Sequence, residues 1–161
     1  MPSKYRAESQ TCAKTFQLKP AEIKRRFFLV DAENKNLGRL AVEIAKILMG
    51  KRSVSYTQNQ SMGDNVIVLN ADKVFWTGKN KGLKRKYRRH SGYPGGLKET
   101  SLSQMFSQKP EELFYTVVKG MLPKNKLRDP RLKRLKVYSG KAHPHQGQEK
   151  ELIKIETLPG V

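Results

Sequence analysis

Cysteine and long apolar runs are nearly absent from this sequence. Among 161 residues the single cysteine is Cys12, which excludes an internal disulfide and a thiolate zinc cage and fits a reducing compartment. No apolar run approaches the roughly 20 residues that a membrane-spanning helix needs. The first residues, MPSKYRAESQTCAK, have no apolar core for a secretory signal and are interpreted as a flexible basic arm, with an organelle transit segment as the alternative.

Acidic residues are scarce as well. Only 14 Asp and Glu stand against 33 Lys and Arg, so the formal net charge is +19 and the pI is near 10.2. Positive charge on this scale opposes compaction unless a polyanion neutralises it. The basic residues are spread over loops and several elements and not along one amphipathic helix, which favours nucleic acid over a membrane surface or an acidic protein as the partner.

Apolar periodicity predicts a parallel sheet around a βαβ unit. FFLVDA (27–32) and NVIVLNA (65–71) are short apolar runs typical of buried strands. Between them, apolar residues recur with helical spacing over 37–48, and Gly50 is placed to end that helix. Two strands joined through a helix predict a parallel pair with a right-handed crossover. VFWTG (74–78) is predicted as a third strand and the segment around 137–138 as the last.

Further helices are predicted in the second half of the chain. Ser101 and Gln104 have capping-box spacing. Pro110 suits the first turn of the next helix and Pro123 its end, and Asp129 is predicted to cap a short basic helix. The predicted fold is a three-layer α/β/α domain with a short, mostly parallel four-stranded sheet, Rossmann-like without the dinucleotide fingerprint. The predicted divisions are a basic arm at 1–20, one α/β domain at 21–140 and a C-terminal extension at 141–161.

A glycine-rich segment, HSGYPGGLKETS (90–101), follows directly on KRKYRR (84–89). A phosphate-binding Walker loop is excluded because Gly96 is followed by Leu97 and not by Lys. His90 and Ser91 are neighbours in sequence, with no third group to orient a catalytic base. An ordinary turn remains one reading. We favour a backbone that approaches a sugar–phosphate chain closely, since glycine has no Cβ and Tyr93 could stack on a base.

Two basic clusters are predicted to contact phosphates. The first has seven basic residues in eleven, over 79–89, with no acid, and the second covers 124–136 with one acid. Unpaired charge of this density repels itself, and phosphate contacts would relieve the repulsion while releasing counterions. His143 and His145 lack further zinc ligands nearby, which favours contact with RNA over a metal site.

Several stretches together resemble one family. They are NLGRLA (36–41), GDNVIVLNADKV (63–74) followed by TG (77–78), HSGYPGG (90–96), KGMLPKN (119–125) and LKRLKVYSGKAHPH (132–145). In this order and spacing the chain, over roughly 15–150, resembles the bacterial-type large-subunit ribosomal protein thirteen family. The resemblance implies a structural rRNA-binding protein that joins the large subunit early in assembly, with neighbouring ribosomal proteins as further partners and with no cofactor or chemistry.

The predicted site is therefore an rRNA-binding surface, without catalytic residues, metal, small-molecule substrate, membrane contact or homo-oligomer. The leading phosphate contacts are predicted to be Arg85, Arg88, Arg89, Arg131 and Arg134, since the planar guanidinium suits phosphate oxygens. The other predicted rRNA-binding residues are Arg39, Lys79, Lys81, Lys84, Lys86, His90, Gly92, Tyr93, Gly95, Gly96, Lys124, Lys126, Arg128, Lys133, Lys136, His143 and His145. Two other functions stay open: a free RNA-binding translational regulator and a nucleotide-dependent enzyme. The ribosome is expected to be the cytoplasmic one of a bacterium, with an organelle ribosome as the alternative.

Overall fold

A parallel sheet forms the centre of the protein in the computed structural model, which describes residues 18–147 and 152–154. Strands β1 (Phe27–Asp31) and β2 (Asn65–Leu69) lie side by side over their full length. Strand β5 (Leu135–Val137) pairs with the other side of β2, and strand β6 (Leu152–Lys154) pairs with the other side of β1. All of these pairings are parallel, so the predicted α/β class with a mainly parallel sheet is confirmed.

Helix α1 (Leu37–Met49) connects β1 to β2 and supplies much of the core. The side chain of Asn36 caps its first turn by accepting a hydrogen bond from the Gly38 N–H at 3.0 Å. Its apolar stripe is buried, and Gly50 ends the helix with a left-handed backbone at φ 84°. The predicted helix and its glycine end are confirmed.

Two helices in the second half of the chain were predicted from their first residues. Helix α3 (Leu102–Gln108) begins where Ser101 Oγ accepts the Gln104 N–H at 3.3 Å, which confirms the predicted cap. Helix α4 (Pro110–Met121) buries Phe114 and Val118 and packs against α1.

Helix α5 (Arg128–Leu132) differs from its prediction. The capping position is Leu127, which makes no side-chain cap, and Asp129 already lies inside the first turn. The predicted cap by Asp129 is therefore wrong, because such a helix would begin at Pro130, and the observed helix begins two residues earlier, at Arg128. The Arg128 N–H donates to the Asn125 carbonyl at 3.0 Å.

The predicted strand at 74–78 is also wrong. Phe75 forms one isolated parallel bridge with Asn36, where the Leu37 N–H donates to the Phe75 carbonyl at 2.9 Å. The ladder cannot continue because the chain after Asn36 is already helical. Beyond Trp76 the segment turns at Gly78, whose φ is 107°.

The basic segment folds into a short helix and a hairpin. Helix α2 (Lys81–Lys84) is followed by strands β3 (Lys86–His90) and β4 (Leu97–Ser101), which pair antiparallel. This separate two-stranded sheet was not predicted, because its side chains are mostly exposed and show no apolar alternation. It turns the glycine-rich segment into the tip and second strand of a hairpin. We call residues 86–101 the basic hairpin.

Both predicted terminal divisions are described only in part. Residues 1–17 of the predicted arm lie outside the described residues. The predicted C-terminal extension contains β6, so three of its residues belong to the central sheet. No helix in the described part of the chain combines the length and apolarity needed to cross a bilayer.

Candidate nucleic-acid interface

One face of the basic hairpin is partly neutralised by Glu99. Its two carboxylate oxygens accept hydrogen bonds from Lys86 Nζ at 2.8 Å and from Arg88 Nε at 2.7 Å. Hydrogen bonds from these two cations hold the pKa of Glu99 below its ordinary value. Lys86 and Arg88, both predicted to contact phosphates, are therefore bound to the same carboxylate when no RNA is present.

The opposite face of the basic hairpin keeps its charge. Arg89 and Lys98 are direct cross-strand partners, and both are exposed. Neither has an acidic partner within 4.0 Å among the described residues. Like charges directly opposite each other destabilise an antiparallel pair. The hairpin thus holds two adjacent cations that an external anion could bridge.

The tip of the basic hairpin brings together five residues predicted from the sequence. His90 Nδ1 accepts the Gly92 N–H at 2.9 Å. Gly92 and Gly95 have positive φ, and a Cβ on either would meet no atom within 4 Å. Gly96 closes the turn by donating to the Tyr93 carbonyl at 2.9 Å, while the Tyr93 side chain remains 76% exposed. The tip is an open backbone surface with one accessible aromatic ring.

The residues before the hairpin extend the same charged surface. Lys79, Lys81, Lys84 and Arg85 are all exposed. The Arg85 guanidinium carbon lies 5.9 Å from the ring centroid of Tyr87, within the range of a cation–π contact. Burial raises the pKa of the Tyr87 hydroxyl. The first basic cluster is therefore continuous with the basic hairpin, and its Arg85 contacts the half-buried ring of Tyr87.

The second basic cluster is divided between surface and interior. Lys124, Lys126, Lys133 and Lys136 are exposed, and Arg128 is partly exposed. Arg131, by contrast, is only 2% exposed. Arg131 was predicted to contact a phosphate, but in this structure its side chain is not accessible to one. Its position on the inner side of α5, beside Leu132, explains the difference.

Three arginines approach one another at the amino end of the sheet. Arg25 lies just before β1, while Arg131 and Arg134 lie just before β5. Arg134 Nη1 donates to the Gly63 carbonyl at 2.8 Å. Burial, and then repulsion by the other two arginines, lowers the pKa of Arg134. Arg25 was missed from the sequence because only the parallel pairing of the strands brings it here.

Replacing Arg131 by methionine is expected to leave the free energy of unfolding unchanged or to raise it by up to about 4 kcal/mol, because buried charges are often replaced favourably by apolar groups. The Nε of Arg131 has no hydrogen-bond partner within the described residues. Urea denaturation would measure the change. Arg134→Met is the matched control, and we expect it to lose about 1.5–3 kcal/mol with the bond to Gly63. A loss above about 1 kcal/mol in R131M would contradict this account.

The remaining predicted residues lie elsewhere. Arg39 is exposed on α1. The Tyr138 hydroxyl and His145 Nε2 are 3.0 Å apart, and the rings of His143 and His145 stack at 6.4 Å. All three residues belong to the segment after β5, so these contacts order that segment locally. Among the described residues, no group of three or more potential metal ligands occurs.

A cleft of about 1120 Å³ lies between the basic hairpin and helices α3 and α4. The acidic residues on its wall are Glu111 and Glu112. Glu111 Oε1 accepts the N–H and the hydroxyl of Ser139 at 3.0 and 3.1 Å, and Glu112 accepts Lys109 Nζ at 2.8 Å. Both acidic residues of this cleft are thus engaged by other groups of the protein through one carboxylate oxygen each.

An α/β domain with a large cationic surplus and an exposed basic hairpin is typical of proteins that bind nucleic acid through its backbone. Residues 25–144 match the family described as Ribosomal protein L13. A protein named large ribosomal subunit protein uL13 from Thermoanaerobacter sp. strain X514 is 52% identical over 143 residues, which cover 89% of this chain and 99% of the relative. Its namesake from Acinetobacter baumannii strain ATCC 17978 is 50% identical over 142 residues, covering 88% and 99%. The chain therefore belongs to the ribosomal protein L13 family.

This membership confirms the family predicted from the sequence motifs. It also confirms the interpretation as a structural ribosomal protein and not an enzyme. Family membership does not test which residues contact rRNA, so the predicted contact residues stay a prediction.

Proposed function

We propose that this protein is a structural constituent of the large subunit of a cytoplasmic ribosome, where it binds large-subunit rRNA and supports early assembly and translation. The family supports the role, and one observation supports the mode of binding. Arg89 and Lys98 face each other on an exposed hairpin without an acidic partner among the described residues. A bridging phosphate would convert this repulsion into two charge-assisted contacts.

The proposed contacts are of two kinds. Exposed cations position the protein by neutralising phosphates, and the hairpin tip allows the RNA backbone to come close. Glu99 shares its charge between Lys86 and Arg88, so these two are proposed as secondary contacts. The primary contacts are Lys79, Lys81, Lys84, Arg85, Arg89, Lys98, Lys124, Lys126, Lys133 and Lys136.

The finer architecture belongs to the same proposal. We infer a three-layer α/β/α domain with a four-stranded sheet. The addition of β6 beside β1 supports the fourth strand. Such a rigid core would fix the spacing between the two basic clusters. Neighbouring large-subunit ribosomal proteins are proposed as further partners.

The proposal predicts selective, salt-dependent binding to large-subunit rRNA. In filter binding, the logarithm of the association constant should fall linearly with the logarithm of salt concentration, by about 0.7–0.9 per phosphate neutralised. A small-subunit rRNA transcript of equal length is the control, and we expect it to bind more weakly. Equal affinity for both transcripts, or an association constant that does not change with salt concentration, would exclude the proposed role.

Sedimentation of a cell extract separates this role from that of a free RNA-binding regulator. A subunit constituent should be recovered with large-subunit particles and remain there after a moderate salt wash. Recovery mainly in the fractions lighter than ribosomal particles would favour the regulator.

A further inference from the structure

A second cleft, of about 340 Å³, lies on a different part of the surface. It is formed by the start of α1, the segment from Trp76 to Tyr87 and the last turns of α4. Its wall is largely apolar and includes Leu102, Val117 and Met121. The volume is at the lower end of the range for small-ligand sites, about 300–1,000 Å³.

Two helical glycines line this cleft without a structural need for glycine. Gly38 in α1 and Gly120 in α4 both lack a positive φ. A Cβ on Gly120 would meet no atom within 4 Å, and a Cβ on Gly38 would meet only the Asn36 side chain at an ordinary 3.5 Å. Glycine inside a helix costs about 0.5–1 kcal/mol relative to alanine. Both helices thus lack a side chain where they border the cleft, and the effect is to keep it open.

Aromatic rings and cations give the cleft its chemical character. Trp76 is fixed by an edge-on contact with Phe106, whose ring centroid is 5.1 Å away. Tyr87 is contacted by the Arg85 guanidinium, and Lys81 also lines the cleft. None of the residues that line the cleft is acidic. Flat apolar walls beside cations suit a ligand that is aromatic and anionic at once, as a nucleotide is.

We propose that this cleft binds one unstacked nucleobase of an RNA strand. The base would contact Trp76 and Tyr87, and its phosphate would contact the Arg85 guanidinium at the rim. The inference rests on the proposed function, which brings RNA to the adjoining basic hairpin. It adds a site for a base to the phosphate contacts proposed for the hairpin. An apolar side chain of a neighbouring protein is the competing occupant, but it would gain nothing from the cationic rim.

The sole tryptophan of the chain, Trp76, reports on this cleft by its fluorescence. The full chain would be titrated at low salt with a short oligouridylate, with the abasic oligonucleotide of the same length, and with inorganic phosphate. We expect only the oligouridylate to quench the fluorescence of Trp76. We expect the abasic strand to bind about 5- to 150-fold more weakly, because it lacks the binding free energy of one stacked base. Equal quenching by the abasic strand or by inorganic phosphate would overturn the proposal.

Gly120→Leu tests the site by filling it. A Cβ at this position would meet no atom within 4 Å, and leucine is a better helix former than glycine, so we expect the variant to fold and to lose quenching by the oligouridylate. Gly140→Leu is the matched control, since Gly140 is equally open but does not line the cleft. Unchanged quenching in G120L would reject the site.

Filter binding of the unmodified chain to large-subunit rRNA keeps the two proposals distinguishable. Retained rRNA binding without base-dependent quenching would remove the base site and leave the proposed function standing. Absence of rRNA binding would remove the proposed function first, and the base site with it.

Discussion

Gly63→Ala is expected to destabilise the protein severely or to prevent folding. A Cβ at Gly63 would overlap the backbone carbonyl group of Leu48 at the end of α1. Both partners are main chain, and the position is further tied by the bond from Arg134 and by the Asp64 N–H, which donates to the Ile47 carbonyl at 3.4 Å. We expect a loss of at least about 3 kcal/mol, the upper end of ordinary overpacking, because no side chain can move aside.

Urea denaturation of Gly63→Ala beside Gly120→Ala would check this result. Gly120 lies in α4 with open space around its missing Cβ. Alanine there should raise the free energy of unfolding by about 0.5–1 kcal/mol through helix propensity alone. The pair separates a steric requirement for glycine from a general effect of alanine. A G63A variant with the denaturation midpoint of the unmodified protein would contradict the close approach of the two backbones.

The double variant Arg89→Gln/Lys98→Gln is expected to lose rRNA affinity without losing its fold. Hydrogen bonds to charged groups are worth about 1.5–3 kcal/mol, so we expect at least about a tenfold loss if one contact goes. The log–log salt slope should become shallower by about 0.7–0.9 for each phosphate contact removed. The hairpin itself should become more stable because two like charges no longer face each other. Filter binding over a salt series and thermal denaturation would measure the two effects.

Glu99→Gln is the matched control on the same hairpin. It removes the carboxylate that now engages Lys86 and Arg88, which leaves both cations available to phosphate. We expect its rRNA affinity at low salt to rise, in the direction opposite to the double variant. An unchanged salt slope in R89Q/K98Q would show that this cation pair does not contact the RNA.

The apolar elements could be predicted from the sequence because burial leaves a periodic trace. The continuous runs of β1 and β2 and the stripe of α1 were each found in this way. The basic hairpin left no such trace, since its strands expose most of their side chains. The bridge at Phe75 was mistaken for a strand because an apolar, aromatic run does not reveal that its partner, Asn36, begins a helix.

The charge of the candidate site could be predicted from the sequence, whereas its geometry could not. Composition located the basic clusters, but it could not show that Arg131 is buried while Lys133 is exposed, since that depends on which side of a short helix faces the core. It also could not show which cations already share an acid. That information requires the register of β3 and β4, which places Arg88 opposite Glu99 and Arg89 opposite Lys98.

The pairing of β6 with β1 has a consequence for the order in which the fold can be completed. One side of β1 is covered by residues 152–154. These residues are translated more than a hundred positions after β1, so this side of β1 is paired only late in synthesis. Until they emerge, the amide and carbonyl groups along that side of β1 have no partner there, and open edges of this kind recruit strands from other chains. During synthesis, β1 therefore keeps an unpaired side for longer than β2, whose outer side is covered by residues 135–137.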